Sequence, residues 1–183
     1  ASLVYEAFNW QHGVFVGATM GSELTAAQVG KLGQVRRDPM AMLPFCGYNM
    51  ADYFRHWLNM GKLMAKPPKI FHVNWFRTDA QGKFLWPGFC ENLRILEWIL
   101  GRCNNKVDAL RTPIGFLPYP FNIDMTGINL ANGVLEKLLK VDKEKWLEEL
   151  KSISKFFGDF KKDLPEELWE EHGALLERLK KNE

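Results

Sequence analysis

Chemistry concentrates in residues 70–97, IFHVNWFRTDAQGKFLWPGFCENLRILE, where Trp75, Phe76, Phe84, Trp86 and Phe89 crowd around Asp79, Gly82, Pro87, Gly88 and Asn92. Rings so close to an amide side chain suit a flat heteroaromatic ligand. Ring faces stack on it, while the amide and nearby backbone N–H and C=O groups read its edge. The competing use of the same residues is a core corner, because aromatic side chains fill space more often than they bind anything. Glycine and proline breaks make this run poor helix and poor continuous strand. The pattern predicts a strand over 69–76, a turn at 80–82, a short extended piece, a turn at Pro87 and Gly88, and a helix from Asn92.

The elements that must hold such a stretch come from a chain of 183 residues, 46% of them apolar, which is enough for one domain with a real core. A net charge of +2 creates no global basic field and argues against nucleic acid as a partner. No run is apolar enough to open as a leader or to cross a bilayer, so the expectation is a soluble, cytoplasmic protein that meets no membrane. Cys46, Cys90 and Cys103 are odd in number and lack metal-ligand spacing, which fits reduced thiols. No GxxxxGKS/T phosphate loop is present, and no His/Asp/Lys cluster has the spacing of a metal site.

Taken in order, residues 3–7 read as a strand, and 13–20, GVFVGATM, as a second strand with His12 at its edge as a hydrogen-bonded structural side chain. Residues 21–33 are small, polar and bounded by glycines, the composition of a loop; a short helix over 24–29 is the other reading. Residues 49–60 carry apolar side chains at helical spacing, and Pro67 and Pro68 form a linker into the central stretch. From the residues alone Phe45 belongs to the core, and Cys46 is a small buried thiol with no base paired to it. An amphipathic helix is expected over 92–102 through Leu93, Leu96, Trp98, Ile99 and Leu100, and extended chain over 112–118. Charged amphipathic helices follow at 134–139, 146–157 and 165–180, with Asp142 and the segment Asp163-Leu164-Pro165 as N-caps. Their alternating Glu and Lys residues read as solvated faces.

The segments PKIFHVNWF and GKFLWPGFCENLRILEWIL closely resemble the GTP-dependent phosphoenolpyruvate carboxykinase family, as do WQHGVFVGATMGSE, DPMAMLPFCGYNMADY and TPIGFLP, in the same order. The resemblance runs from the first residue to about Pro118 and thins into a generic helical tail. It implies an α/β fold, a mixed sheet with flanking helices, forming part of a larger carboxykinase C-terminal nucleotide-binding domain. Residues 1–120 would be its lid and guanine-binding part, and 121–183 its C-terminal helical tail. The chain looks like roughly the last third of such an enzyme, and alone it is expected to be inactive.

The family places Trp75, Phe76, Phe84, Phe89 and Asn92 in a guanine pocket, with Phe76 and Phe89 as the sandwich and Phe84 and Trp75 at its edges. The turn Phe89-Cys90-Glu91-Asn92 would read the base; Cys90 stands where the family often has Gly. Ser22, Glu23, Leu24, Thr25, Ala26, Ala27, Gln28, Val29, Gly30 and Lys31 match an Ω-loop lid, although Gly21 and Gln28-Val29-Gly30 depart from the common pattern. Closure of such a lid excludes water and protects a reactive enolate. Phe45 matches an aromatic wall at the substrate rim. The implied reaction is oxaloacetate plus GTP giving phosphoenolpyruvate, GDP and CO2, a decarboxylating lyase step of gluconeogenesis. Its phosphate cradle and its Mn2+ and Mg2+ ligands precede this region in the family, so they are expected in the remainder of the carboxykinase chain. The alternative is a non-catalytic homologue that kept this segment as a nucleotide-binding or structural module.

Overall fold

The computed structural model describes residues 1–23 and 35–181. In chain order these residues form β1 (Val4–Glu6), α1 (Trp10–Ala18), β2 (Gly21–Glu23), β3 (Val35–Arg37), α2 (Met50–Leu63) and β4 (Phe71–Val73). There follow α3 (Asn92–Cys103), β5 (Leu110–Thr112), β6 (Gly115–Leu117), α4 (Val134–Leu139), α5 (Lys143–Gly158) and α6 (Glu166–Lys181). The sheet-and-helix class is the α/β class the sequence implies. The chain divides into two compact units: Ala1–Phe8 with Lys69–Lys143, and Asn9–Pro68 with Glu144–Glu183.

The first unit is built on a sheet of strand order β4-β1-β6-β5, and its pairings are antiparallel. Central β1 is buried along its length, as a strand covered on both faces must be. Its register sets Val4 opposite Val73, Tyr5 opposite His72 and Glu6 opposite Phe71. Gly115 opens β6 because nothing larger fits: a Cβ there would lie 2.5 Å from the carbonyl oxygen of Glu6, at a φ of 143°. The core joins Leu3, Val4, Trp86, Ile95, Trp98 and Ile123 to Leu135, Leu138 and Leu139 of α4. Helix α3 buries Ile95 and Trp98, while Leu93, Leu96 and Leu100 stay exposed, so its buried face is narrower than the sequence pattern predicts.

Helix α4 ends on carbonyls that need donors. The Leu3 N–H donates to Leu138 at 2.9 Å, Ser2 Oγ donates to Leu139 and Lys140, and Arg77 Nη1 donates to Lys137 and Leu138 at 2.9 Å. Buried Glu6 is compensated by Arg102 Nε at 2.6 Å and Lys69 Nζ at 3.2 Å, which a buried carboxylate requires. His72 stacks on Tyr5 with ring centroids 5.0 Å apart, and burial pushes its pKa down to about 4.

In the second unit α1 packs on α2 and α6. Residues 13–20 were expected as a strand; 13–18 are helical instead. Asn9 caps the helix by accepting from the His12 N–H at 2.9 Å, and residues from His12 to Val16 and Ala18 are all buried. A helix buried on nearly every side shows no apolar stripe, and its Val-Phe-Val run then reads as a buried strand. His12 is therefore an interior helical residue, not a strand-edge one, and burial drives its pKa down to about 3, with Arg178 adding to the shift.

Helix α2 starts on an Asn49 cap, whose side chain accepts from the Ala51 N–H, and buries Met50, Phe54 and Leu58. Asp163 does not cap α6 as expected. It sits in the turn Lys161–Asp163, where its carboxylate accepts from Asn49 Nδ2 at 3.1 Å and its carbonyl from Arg55 at 2.7 Å. The expected loop from Gly21 begins as a strand: β2 pairs with β3, Ser22 opposite Arg36.

Candidate functional site

The stretch that carries the aromatic residues is an irregular hairpin followed by a tight turn into α3. Asp79 organises the hairpin tip as an Asx turn. Its Oδ1 accepts from the N–H groups of Gln81 and Lys83, both at 2.9 Å, and Gly82 supplies a φ of 81°. The two arms meet through the Leu85 N–H to the Arg77 carbonyl at 2.8 Å and a bridge between Thr78 and Phe84. This geometry brings Phe76 and Phe84 together, edge to face, with centroids 6.0 Å apart.

Beyond the hairpin the chain must turn sharply. Gly88 takes a φ of 77° and Phe89 a φ of 40°, a left-handed conformation that an aromatic residue adopts only at a cost. The short 3-10 turn Phe89–Glu91 follows, with the Glu91 N–H on the Gly88 carbonyl and the Asn92 N–H on that of Phe89. Phe89 stands almost wholly in solvent, 93% exposed; Phe76 is 68% exposed and Phe84 59%. Large rings left outside the core mark a surface that a ligand could cover.

The other expected residues have mixed surroundings. Trp75 is half-buried and packs against the core. Cys90 is exposed. Glu91 is tied to Arg94 Nε, and the Arg94 guanidinium also donates to the carbonyls of Asp124 and Thr126, fastening the turn to the 120s loop. Hydrogen bonds from Thr126 hold the neighbouring Asp124 carboxyl below its ordinary range. Asn92, the first residue of α3, accepts from the Trp86 indole Nε1 at 2.9 Å through its Oδ1. Trp86 was noted in the sequence only as one ring among several, and Arg94 was not singled out; nothing in residue spacing shows a bond across a Pro-Gly turn. Phe76 is matched only with Phe84, and Phe89 makes no ring contact among the described residues.

Two groups of expected residues lie in the second unit. Phe45 sits in the 3-10 turn Leu43–Phe45 and is 77% exposed, not the core residue its composition suggested. Ser22 lies in β2, its Oγ donating to Asp38 at 2.9 Å, and Glu23 ends that strand. The remaining expected lid residues, Leu24, Thr25, Ala26, Ala27, Gln28, Val29, Gly30 and Lys31, fall outside the described residues. Among the described residues no three His, Cys, Asp or Glu side chains gather as a metal site, and no helix is long and apolar enough to cross a membrane.

An α/β unit with solvent-facing rings at a helix entrance is thus the scaffold in hand. Residues 1–178 match the family described as phosphoenolpyruvate carboxykinase C-terminal P-loop domain, and the chain belongs to that family. Proteins named phosphoenolpyruvate carboxykinase (GTP) are similar along almost all of it: that of Thermoplasma volcanium is 51% identical over 177 residues, covering 97% of this chain. The Chlamydia pneumoniae protein is 51% identical over 180 residues and that of Anaeromyxobacter sp. (strain K) 47% over 178, each again covering 97% of this chain. The chain spans about 30% of the length of these relatives.

Proposed function

We propose that this chain is the base-binding and lid-bearing portion of a GTP-dependent phosphoenolpyruvate carboxykinase, the enzyme that converts oxaloacetate and GTP to phosphoenolpyruvate, GDP and CO2. The observation that carries this reading is the exposure of the Phe76–Phe84 pair and of Phe89, whose turn leads directly into Asn92 at the start of α3. Exposed rings offer stacking faces, and the Cys90-Glu91-Asn92 turn offers an edge. Guanine presents an acceptor at O6 and donors at N1 and N2, the reverse of adenine at the 6-position. A site that pairs those groups leaves adenine with unpaired polar atoms, at about 1–3 kcal/mol each. Trp75 would close one side of the slot from its half-buried position.

In this reading residues 22–31 supply the lid and Phe45 an aromatic wall for the small acid. The phosphate cradle, Mn2+ and Mg2+ belong to the remainder of a longer chain, where the metal ions would neutralise phosphoryl charge. Residues 121–183 complete the same domain. The isolated chain accordingly turns over no substrate. Titration of tryptophan fluorescence with guanosine and adenosine diphosphates tests the pocket. Quenching by GDP at a concentration at least tenfold lower than by ADP is expected. Equal responses, or none, overturn the reading and leave a structural module in its place.

A further inference from the structure

We infer that Trp86 is a positioning residue that sets the purine preference of the slot, by fixing which end of the Asn92 amide faces the ligand. The inference rests on the pocket reading above. An asparagine amide is ambivalent: one end accepts, the other donates, and the group can turn over to satisfy either a 6-oxo or a 6-amino purine. Here it is not free to turn. The Trp86 indole Nε1–H can only donate, and it reaches Asn92 Oδ1 at 2.9 Å. Trp86 is 1% exposed and part of the central core, so its N–H has no water to fall back on. Reversing the amide would set two donors against each other and orphan a buried N–H.

Asn92 Nδ2 has no partner among the described residues. It is the end left for a ligand, and it donates. A purine carrying an oxygen at position 6 accepts that bond; one carrying an amino group there meets donor with donor. Selectivity is thus anchored in the core: Trp86 belongs to the buried cluster that includes Leu3 and Ile95, and the chain turns between it and Asn92 at Gly88, with a φ of 77°. Arg94 holds the adjoining Glu91, so the turn itself is braced from a second side.

Inosine and adenosine diphosphates isolate the effect, because neither carries a 2-amino group and they differ only around position 6. Their dissociation constants are to be measured in the intact polypeptide that carries these residues. Trp86→Phe keeps an aromatic ring and removes the donor; the IDP-over-ADP preference should fall about tenfold, since the amide can then turn. Asn92→Asp still accepts from Trp86 but offers an acceptor outward, and the preference should reverse in favour of ADP. A carboxylate in the first turn of α3 suits the helix, so that variant folds even if Trp86→Phe does not. A folded Trp86→Phe protein with an unchanged ratio, or an Asn92→Asp protein that still prefers IDP, overturns the inference and leaves the pocket reading standing. Failure of the unaltered protein to bind any purine nucleotide sinks both.

Discussion

Two groups of phenylalanine-rich aromatic side chains in this protein have opposite fates. In the second unit Phe157 is fully buried, meeting Phe15 at 6.1 Å and Trp169 at 5.4 Å, while Phe160 meets Phe54 at 5.7 Å and Phe156 at 5.1 Å. These rings interlock at the edge-to-face angles that packed aromatics favour. In the first unit Phe76, Phe84 and Phe89 have one such pairing among them and lie mostly in solvent. Ring content alone therefore says nothing about purpose. What separates the groups is backbone: helices carry Phe15, Phe54 and Phe157 inward, whereas an Asx turn and a left-handed phenylalanine hold the second set out.

That contrast can be broken most forcefully at Phe157. Phe157→Ala should lower unfolding free energy by about 3–5 kcal/mol, read by denaturant titration, because it leaves a cavity among locked rings. A loss comparable to that of a surface residue would mean the cluster is not a core. The next effect concerns the stacked pair Tyr5–His72. With its folded pKa at about 4, against 6.5 for the free side chain, His72 stays neutral where the unfolded chain would take up a proton. Its contribution is complete above pH 6.5 and disappears as pH falls towards 4, amounting to at most ~3 kcal/mol. His72→Phe should flatten the acid limb of stability in that window; an unchanged limb would assign it elsewhere. The smallest effect on the fold belongs to Phe89. Phe89→Ala should shift stability by less than about 0.5 kcal/mol, yet weaken purine nucleotide binding by about 1–3 kcal/mol through lost stacking. If stability drops and binding does not, the two sets of rings are alike after all.

Much of this was legible beforehand, for identifiable reasons. The turn at 80–82, the break at Pro87 and Gly88 and the helix from Asn92 are written in residues whose backbone preferences are local. So are α2 and the three C-terminal helices, whose apolar residues repeat at helical spacing. Helix α1 was misread because its burial on nearly all sides erased the stripe that distinguishes helix from buried strand. Asp163 was misread because a side chain that could cap a helix instead met Asn49, a partner 114 positions away. Within the candidate site, residue types drew attention to the rings and the amide, and three of those rings are exposed. The indole–amide bond that orients Asn92 depends on a fold in three dimensions, and no periodicity encodes it.

The sheet of the first unit has a consequence for how the molecule is made. Strand β1 lies at Val4–Glu6, yet its neighbours β4 and β6 come only after residues 9–68 of the second unit, and α4 closes the same core later still. During ribosomal synthesis the first eight residues must therefore wait, on the order of ten seconds, before their pairing partners exist. Assembly of the first unit is therefore a late, long-range event rather than an early local one.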